Sequence, residues 1–154
     1  MLREFASKLL TRILYYVQAF KITAKGDISL SQVSYFFDKW EIKNQVIGDD
    51  HYYLMNLEDM KTILRVNYSR LKSFVDDNYD CDDFTKVLAG ILSFVAGGFA
   101  HGIVHVNTLK GKHALNFFFD DKKVLYYIEP QTNEIFKFSE GTVQKGYRPY
   151  FILI

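Results

Sequence analysis

The chain has 154 residues, 49% apolar and 24% charged, an ordinary composition for one globular domain with a sizeable core. Its formal charge of +1 argues against a dedicated nucleic-acid binder, which concentrates basic charge, and its 14 Phe and 11 Tyr read as core and sheet-face rings rather than a base-stacking platform. A single cysteine excludes an intramolecular disulfide and fits a reducing, cytoplasmic setting.

Leu2, Phe5, Leu9, Ile13, Tyr16 and Phe20 recur at steps of three and four. They predict a helix of roughly 18 residues with one apolar packing stripe. Arg3, Lys8 and Arg12 interrupt the segment, so it is neither a signal h-region nor a membrane span; an amphipathic helix lying on a membrane is the alternative. The apolar run from Val87 to Ala100 is too short to cross a bilayer, and Gly90, Gly97 and Gly98 break it.

Lys25-Gly26-Asp27 reads as a turn, and Ser29 or Ser31 caps a second helix through Trp40. Asn44 to Asp50 is loop-like. Asn56 is the expected N-cap of a third helix, Leu57 to Val66, with Glu58 and Asp59 in its first turn. A short helix from Ser69 to Phe74 ends at Asp76-Asp77-Asn78. A fourth helix runs from Asp80 to Val95, stopped by Gly97-Gly98.

Strands then follow at Ala100–Thr108, Lys112–Asp120, Lys123–Glu129, Glu134–Phe138 and Tyr147–Ile154, with turn-prone links at Asp120-Asp121 and Thr132-Asn133. The expected fold class is α+β: N-terminal helices and a central helix bearing Cys81, packed on a C-terminal antiparallel sheet. Residues 1–50 form a helical extension to a core of residues 51–154.

Cys81 opens the fourth helix, with Asp80 as its cap. Helix N–H groups favour a thiolate there by roughly 0.3–1 kcal/mol, under one pKa unit. Asp80, Asp82 and Asp83 oppose that, so a reactive thiol needs an imidazole partner. His113 starts one strand and Glu129 ends the next. A turn centred on Asp121-Lys122 opposes position 113 to about position 130, which puts Glu129 beside His113. A nucleophile, a base and a group that fixes the base are what covalent thiol chemistry requires.

His101 and His105 share a strand face and are rival bases; with a carboxylate they could also hold a metal ion. His51 is a weaker rival. Each residue also has a plain structural reading: a buried thiol, a strand histidine and a surface carboxylate.

Asp80-Cys81-Asp82-Asp83-Phe84, Lys112-His113-Ala114-Leu115-Asn116 and Ile128-Glu129-Pro130-Gln131-Thr132 resemble the papain-like and transglutaminase-like cysteine-hydrolase superfamily, in the branch that includes the protease domain of the Marasmius oreades agglutinin. The similarity covers roughly Tyr52 to Phe138. The resemblance implies peptide or amide hydrolysis through a thioester on Cys81, with His113 as base and Glu129 orienting it, and a peptide or protein substrate. It requires no cofactor, although calcium could bind the acidic cluster Asp76, Asp77, Asp80, Asp82 and Asp83. The family's oxyanion-hole glutamine is replaced by Val75, leaving Asn78 or Gln131 as second donor. Two other readings stay open: acyl transfer to an amine on the same site, and a non-enzymatic interaction protein that keeps the fold. No nucleic-acid or membrane partner is expected.

Overall fold

A computed structural model describes residues 2–144 and 146–154, with side chains from residue 6 onward. The elements run α1 (Leu2–Ala19), β1 (Asp27–Ser29), α2 (Leu30–Lys39), β2 (Asn44–Val46), β3 (His51–Tyr53), α3 (Leu57–Leu64), α4 (Cys81–Val95), β4 (His101–Thr108), β5 (Gly111–Phe119), β6 (Leu125–Glu129), β7 (Glu134–Lys137), α5 (Glu140–Gln144) and β8 (Arg148–Leu153). A single 3₁₀ turn occupies Ser69–Leu71.

The helix starts follow local chemistry. Ser29 caps α2 and closes a capping box with Gln32, Asn56 caps α3 through the Asp59 N–H, and Asp80 and Asp83 form the box that opens α4. Each box satisfies amide donors that the helix itself cannot.

Six strands form one sheet in the order β2-β8-β4-β5-β6-β7, and β1 and β3 form a second, two-stranded one. The large sheet is covered on both faces. Val33 and Phe37 of α2 pack with Val104, Leu115, Phe117, Tyr127 and Ile152 on one side. Leu88 and Leu92 of α4 pack with Met60, Ile63, Phe118 and Ile128 on the other. That explains why Ala114 to Phe119 is buried without alternation, as expected for a strand with no solvent face. Burying one such ring contributes about 1.5–3 kcal/mol.

The structure corrects the expected layout. The sheet is mixed, because β2, from the segment expected as loop, pairs parallel with β8; the N-terminal fifty residues therefore contribute strand as well as helix. β3 and α5 were not expected at all. The α1 stripe does not pack as predicted: Leu9, Ile13 and Phe20 are 48%, 50% and 52% exposed. Leu2 and Phe5 of that stripe have side chains outside the described residues. The helix touches α3 through Tyr16 of the stripe together with Tyr15 and Ala19, which lie off it. Among the described residues no helix is long and apolar enough to cross a membrane.

Candidate functional site

Cys81 is the first residue of α4 and is partly buried. α4 lies on the face of β5 that carries Asn116, whose side-chain amide donates to the Thr85 carbonyl at 3.1 Å. This anchor sets the helix's start against the middle of β5. The thiol lies against the N–H of Ala114. Burial is the main force raising its pKa, the Ala114 N–H opposes that, and the charges of Asp80 and Asp82 raise it further. The resting form is therefore a neutral thiol, because the helix N-terminus alone is too weak to ionise it.

His113 donates Nε2–H to Glu129 Oε2 at 2.7 Å, both side chains being about four-fifths buried (23% and 20% exposed). The other carboxylate oxygen, Oε1, accepts from the Gln131 N–H at 3.2 Å. The expected pairing register is off by one. Asn116 faces Ile128, and continuing that register opposes Leu115 to Glu129. His113 then lies diagonal to Glu129 on the same face, within reach of long side chains. The expected register would have put the two on opposite faces. The hairpin link is longer than predicted: Asp120 N–H bonds to the Val124 carbonyl, with Lys123 at φ 58°.

Ala114, whose N–H the thiol contacts, follows His113 directly on β5, and no hydrogen bond joins thiol and imidazole among the described residues. Hydrogen bonds of this type are often long in a ligand-free protein and tighten around substrate. With Nε2–H committed to a carboxylate, Nδ1 keeps its lone pair free to take a proton.

The rival histidines sort clearly. His101 is buried, its Nδ1 has no partner, and burial lowers its pKa to about 4; it cannot act as a solvent-linked base. His105 stands opposite Ala114 and packs on Phe151 and Tyr150. Burial lowers its pKa, while Asp82 pulls it up and Lys86 down. Among the described residues no carboxylate is hydrogen-bonded to it. His51 is exposed on β3, far along the chain from these elements.

Asp80, Asp82 and Asp83 converge, as do Asp76, Asp77 and Asp80. Much of the first group's valence is already used. Asp80 accepts from the Asp82 N–H at 3.2 Å, Asp83 accepts from the Asp80 N–H at 3.4 Å, and Lys86 pairs with both Asp82 and Asp83.

Two cavities flank the His113–Glu129 pair and share Tyr147 as a wall. One, of about 390 Å³, is lined by Thr108, Leu109, Lys110, Lys112 and His113. The other, of about 370 Å³, is lined by Glu129, Glu134, Phe136, Ser139 and Thr142. A larger cavity of about 430 Å³ lies between α2 and β5, around Gln32, Tyr35 and Phe119; its lining includes neither cysteine nor histidine. Sequence reasoning gave Ala114 no role beyond its place in the His113 motif and missed Glu134 and Tyr147, because their roles depend on pairing and on packing after β7.

No family model matches the chain, and no curated protein matches it. Two solved structures are similar. One is described as a PSL1a–E64 complex, with a TM-score of 0.69 and 20% identity over 83% of this chain and 50% of that one. The other is Polyporus squamosus lectin bound to the human-type influenza-binding epitope Neu5Acα2-6Galβ1-4GlcNAc, with a TM-score of 0.58 and 23% identity over 72% of this chain and 42% of that one. The chain therefore spans half or less of the solved chains it resembles.

These findings correct the family reading. A papain-like or transglutaminase-like superfamily, and the fold named after it, is replaced by likeness to chains described as PSL1a and a lectin. The cysteine-dependent peptide or amide hydrolase inferred from that resemblance, with its peptide substrate, falls with it. Matches of five residues each, scattered over three segments, identify local chemistry without fixing a family.

Proposed function

We propose that the chain carries a covalent thiol site, Cys81 served by His113 and Glu129, and that it transfers an acyl group to an amine. The observation that supports this most is the oriented imidazole: Glu129 holds Nε2–H at 2.7 Å, one residue from the N–H that contacts the thiol.

The step balances on this chain's own groups. The Sγ–H proton passes to His113 Nδ1 as the Sγ–C bond forms. The bond from carbon to the leaving group breaks, and the leaving group takes that proton. An amine then attacks the thioester; the C–N bond forms, the C–S bond breaks, and the amine's proton returns through His113 to the sulfur. The Cys81 N–H, at the helix start, is one donor to the developing oxyanion. The cavity beside Glu129 suits an amine acceptor, since its Glu129 and Glu134 carboxylates outnumber the Lys137 ammonium and the Phe136 and Tyr147 rings, centroids 5.5 Å apart, line it too.

The test uses p-nitrophenyl acetate as donor and cadaverine as acceptor, read by mass spectrometry. The account expects one acetyl group on Cys81, then N-acetylcadaverine, both lost in Cys81→Ala. Release of acetate with no amide would sink the transfer reading.

A second reading, a non-enzymatic glycan-binding protein, draws on the lectin's bound sialylated trisaccharide and on the raised thiol pKa. Titration with that trisaccharide tests it. Saturable binding unaffected by Cys81→Ala and His113→Ala supports it, and no heat or shift at millimolar ligand removes it.

A further inference from the structure

Asn67 is 1% exposed and Ser69 2% exposed, in a segment with no part in the chemistry described so far. The Asn67 amide is fully used. Its Nδ2 donates to the Pro130 carbonyl at 2.9 Å and to Asn133 Oδ1 at 2.6 Å. Its Oδ1 accepts from the Ser69 N–H at 3.1 Å and from the Ser69 hydroxyl at 2.6 Å. Asn133 in turn donates to the Leu64 carbonyl at 2.8 Å. A satisfied buried network of this kind specifies one geometry, and leaving any member unpaired is costly.

What the network grips is the turn after β6. Thr132 and Asn133 N–H both bond to the Glu129 carbonyl, at 3.3 Å and 2.8 Å, Asn133 sits at φ 63°, and Gln131 N–H holds Glu129 Oε1. The carboxylate that orients His113 is thus held from behind by a turn, and the turn is held by Asn67 across 63 residues of sequence. We infer that Asn67, with Ser69 beside it, is a positioning residue for the Glu129–His113 pair, acting through the Pro130–Asn133 turn. The inference rests on the thiol-site reading for its function but not for its geometry.

Two readouts separate the two ideas. The first is the His113 Nε2–H proton signal by NMR, which reports the hydrogen bond to Glu129 whatever the thiol does. It is expected to be visible in the native protein and lost through faster exchange in Asn67→Ala. Ser69→Ala, which removes only a hydroxyl, serves if Asn67→Ala fails to fold. The second is Cys81 alkylation by iodoacetamide, expected to slow about tenfold in either variant, since small misplacements of a positioned group carry such costs.

In a Glu129→Gln background the same changes should slow alkylation no further, because their route of action is already cut. Equal added slowing in that background would show a merely structural role and overturn the inference, as would an unchanged His113 signal in Ser69→Ala. A lost His113 signal with alkylation insensitive to His113→Ala would leave the clamp standing and remove the thiol-site reading alone.

Discussion

Mild acid should weaken the fold through His101. Its imidazole is 9% exposed, Nδ1 lacks a partner, and burial lowers its pKa from 6.5 to about 4. The folded protein keeps His101 neutral, while the unfolded chain protonates it below about pH 6.5. Between those two values the unfolded state binds more protons, so stability falls as pH falls. The loss is absent above pH 6.5 and complete below pH 4.

At 1.36 kcal/mol per pKa unit, the shift predicts a loss of about 2.5 kcal/mol on going from pH 7.5 to pH 4.5. Urea unfolding at half-unit intervals of pH measures this directly, and His101→Gln removes the titrating group. The variant's stability curve should be flatter by up to one proton over the window, so the gap between variant and native protein narrows or reverses in acid. Parallel curves for the two proteins would refute the reasoning, since the acid sensitivity would then belong to other groups.

Three further outcomes follow from packing and from the site. A Cβ at Gly102 would meet the Leu153 carbonyl at 2.0 Å and Phe117 Cε1 at 2.9 Å, so Gly102→Ala must push β8 from β4; it should cost about 3 kcal/mol, and a thermal melt unchanged from native would contradict that docking. His105→Ala should leave Cys81 alkylation near the native rate while Glu129→Gln slows it, because His113 has an orienting carboxylate and His105 has none among the described residues; the reverse order would make His105 the working base. Calcium and EDTA should leave both melting and alkylation unchanged, since the capping box and Lys86 already occupy Asp80, Asp82 and Asp83; a calcium-dependent shift in either would restore a metal role.

The parts legible in the sequence were those with local causes. Ser29, Asn56 and Asp80 announce helix starts because a side-chain oxygen satisfies amides within a few residues. The expected strands after Ala100 correspond to β4 through β8 because alternation and turn residues are local too. What stayed hidden depends on distant partners. β2 is three residues long and exists by pairing with β8, about a hundred residues away. α5 has Gly141, Thr142 and Val143 at its centre, residues of modest helix preference. The α1 stripe was read from periodicity, yet of its described side chains only Tyr16 packs on the core cluster, beside Tyr15 and Ala19 from outside the stripe.

At the site, Cys81, His113 and Glu129 were legible as residue types on the right elements. The one-residue register difference, set by Lys123 in the left-handed region, was not. Asn67 gave no sequence signal of its role, because the turn it holds lies more than sixty positions on.

The most direct test of the account is the rate of Cys81 alkylation against pH, in the native protein and in His113→Ala, followed by mass. One cysteine gives the signal a single source. A thiol raised by burial and carboxylates should react slowly unless the imidazole takes its proton. The account predicts that the native protein keeps reactivity near pH 7 and that His113→Ala loses at least about tenfold there, general bases contributing that much or more. Superimposable profiles for the two proteins, each rising only in alkaline solution, would contradict it and leave Cys81 a structural residue.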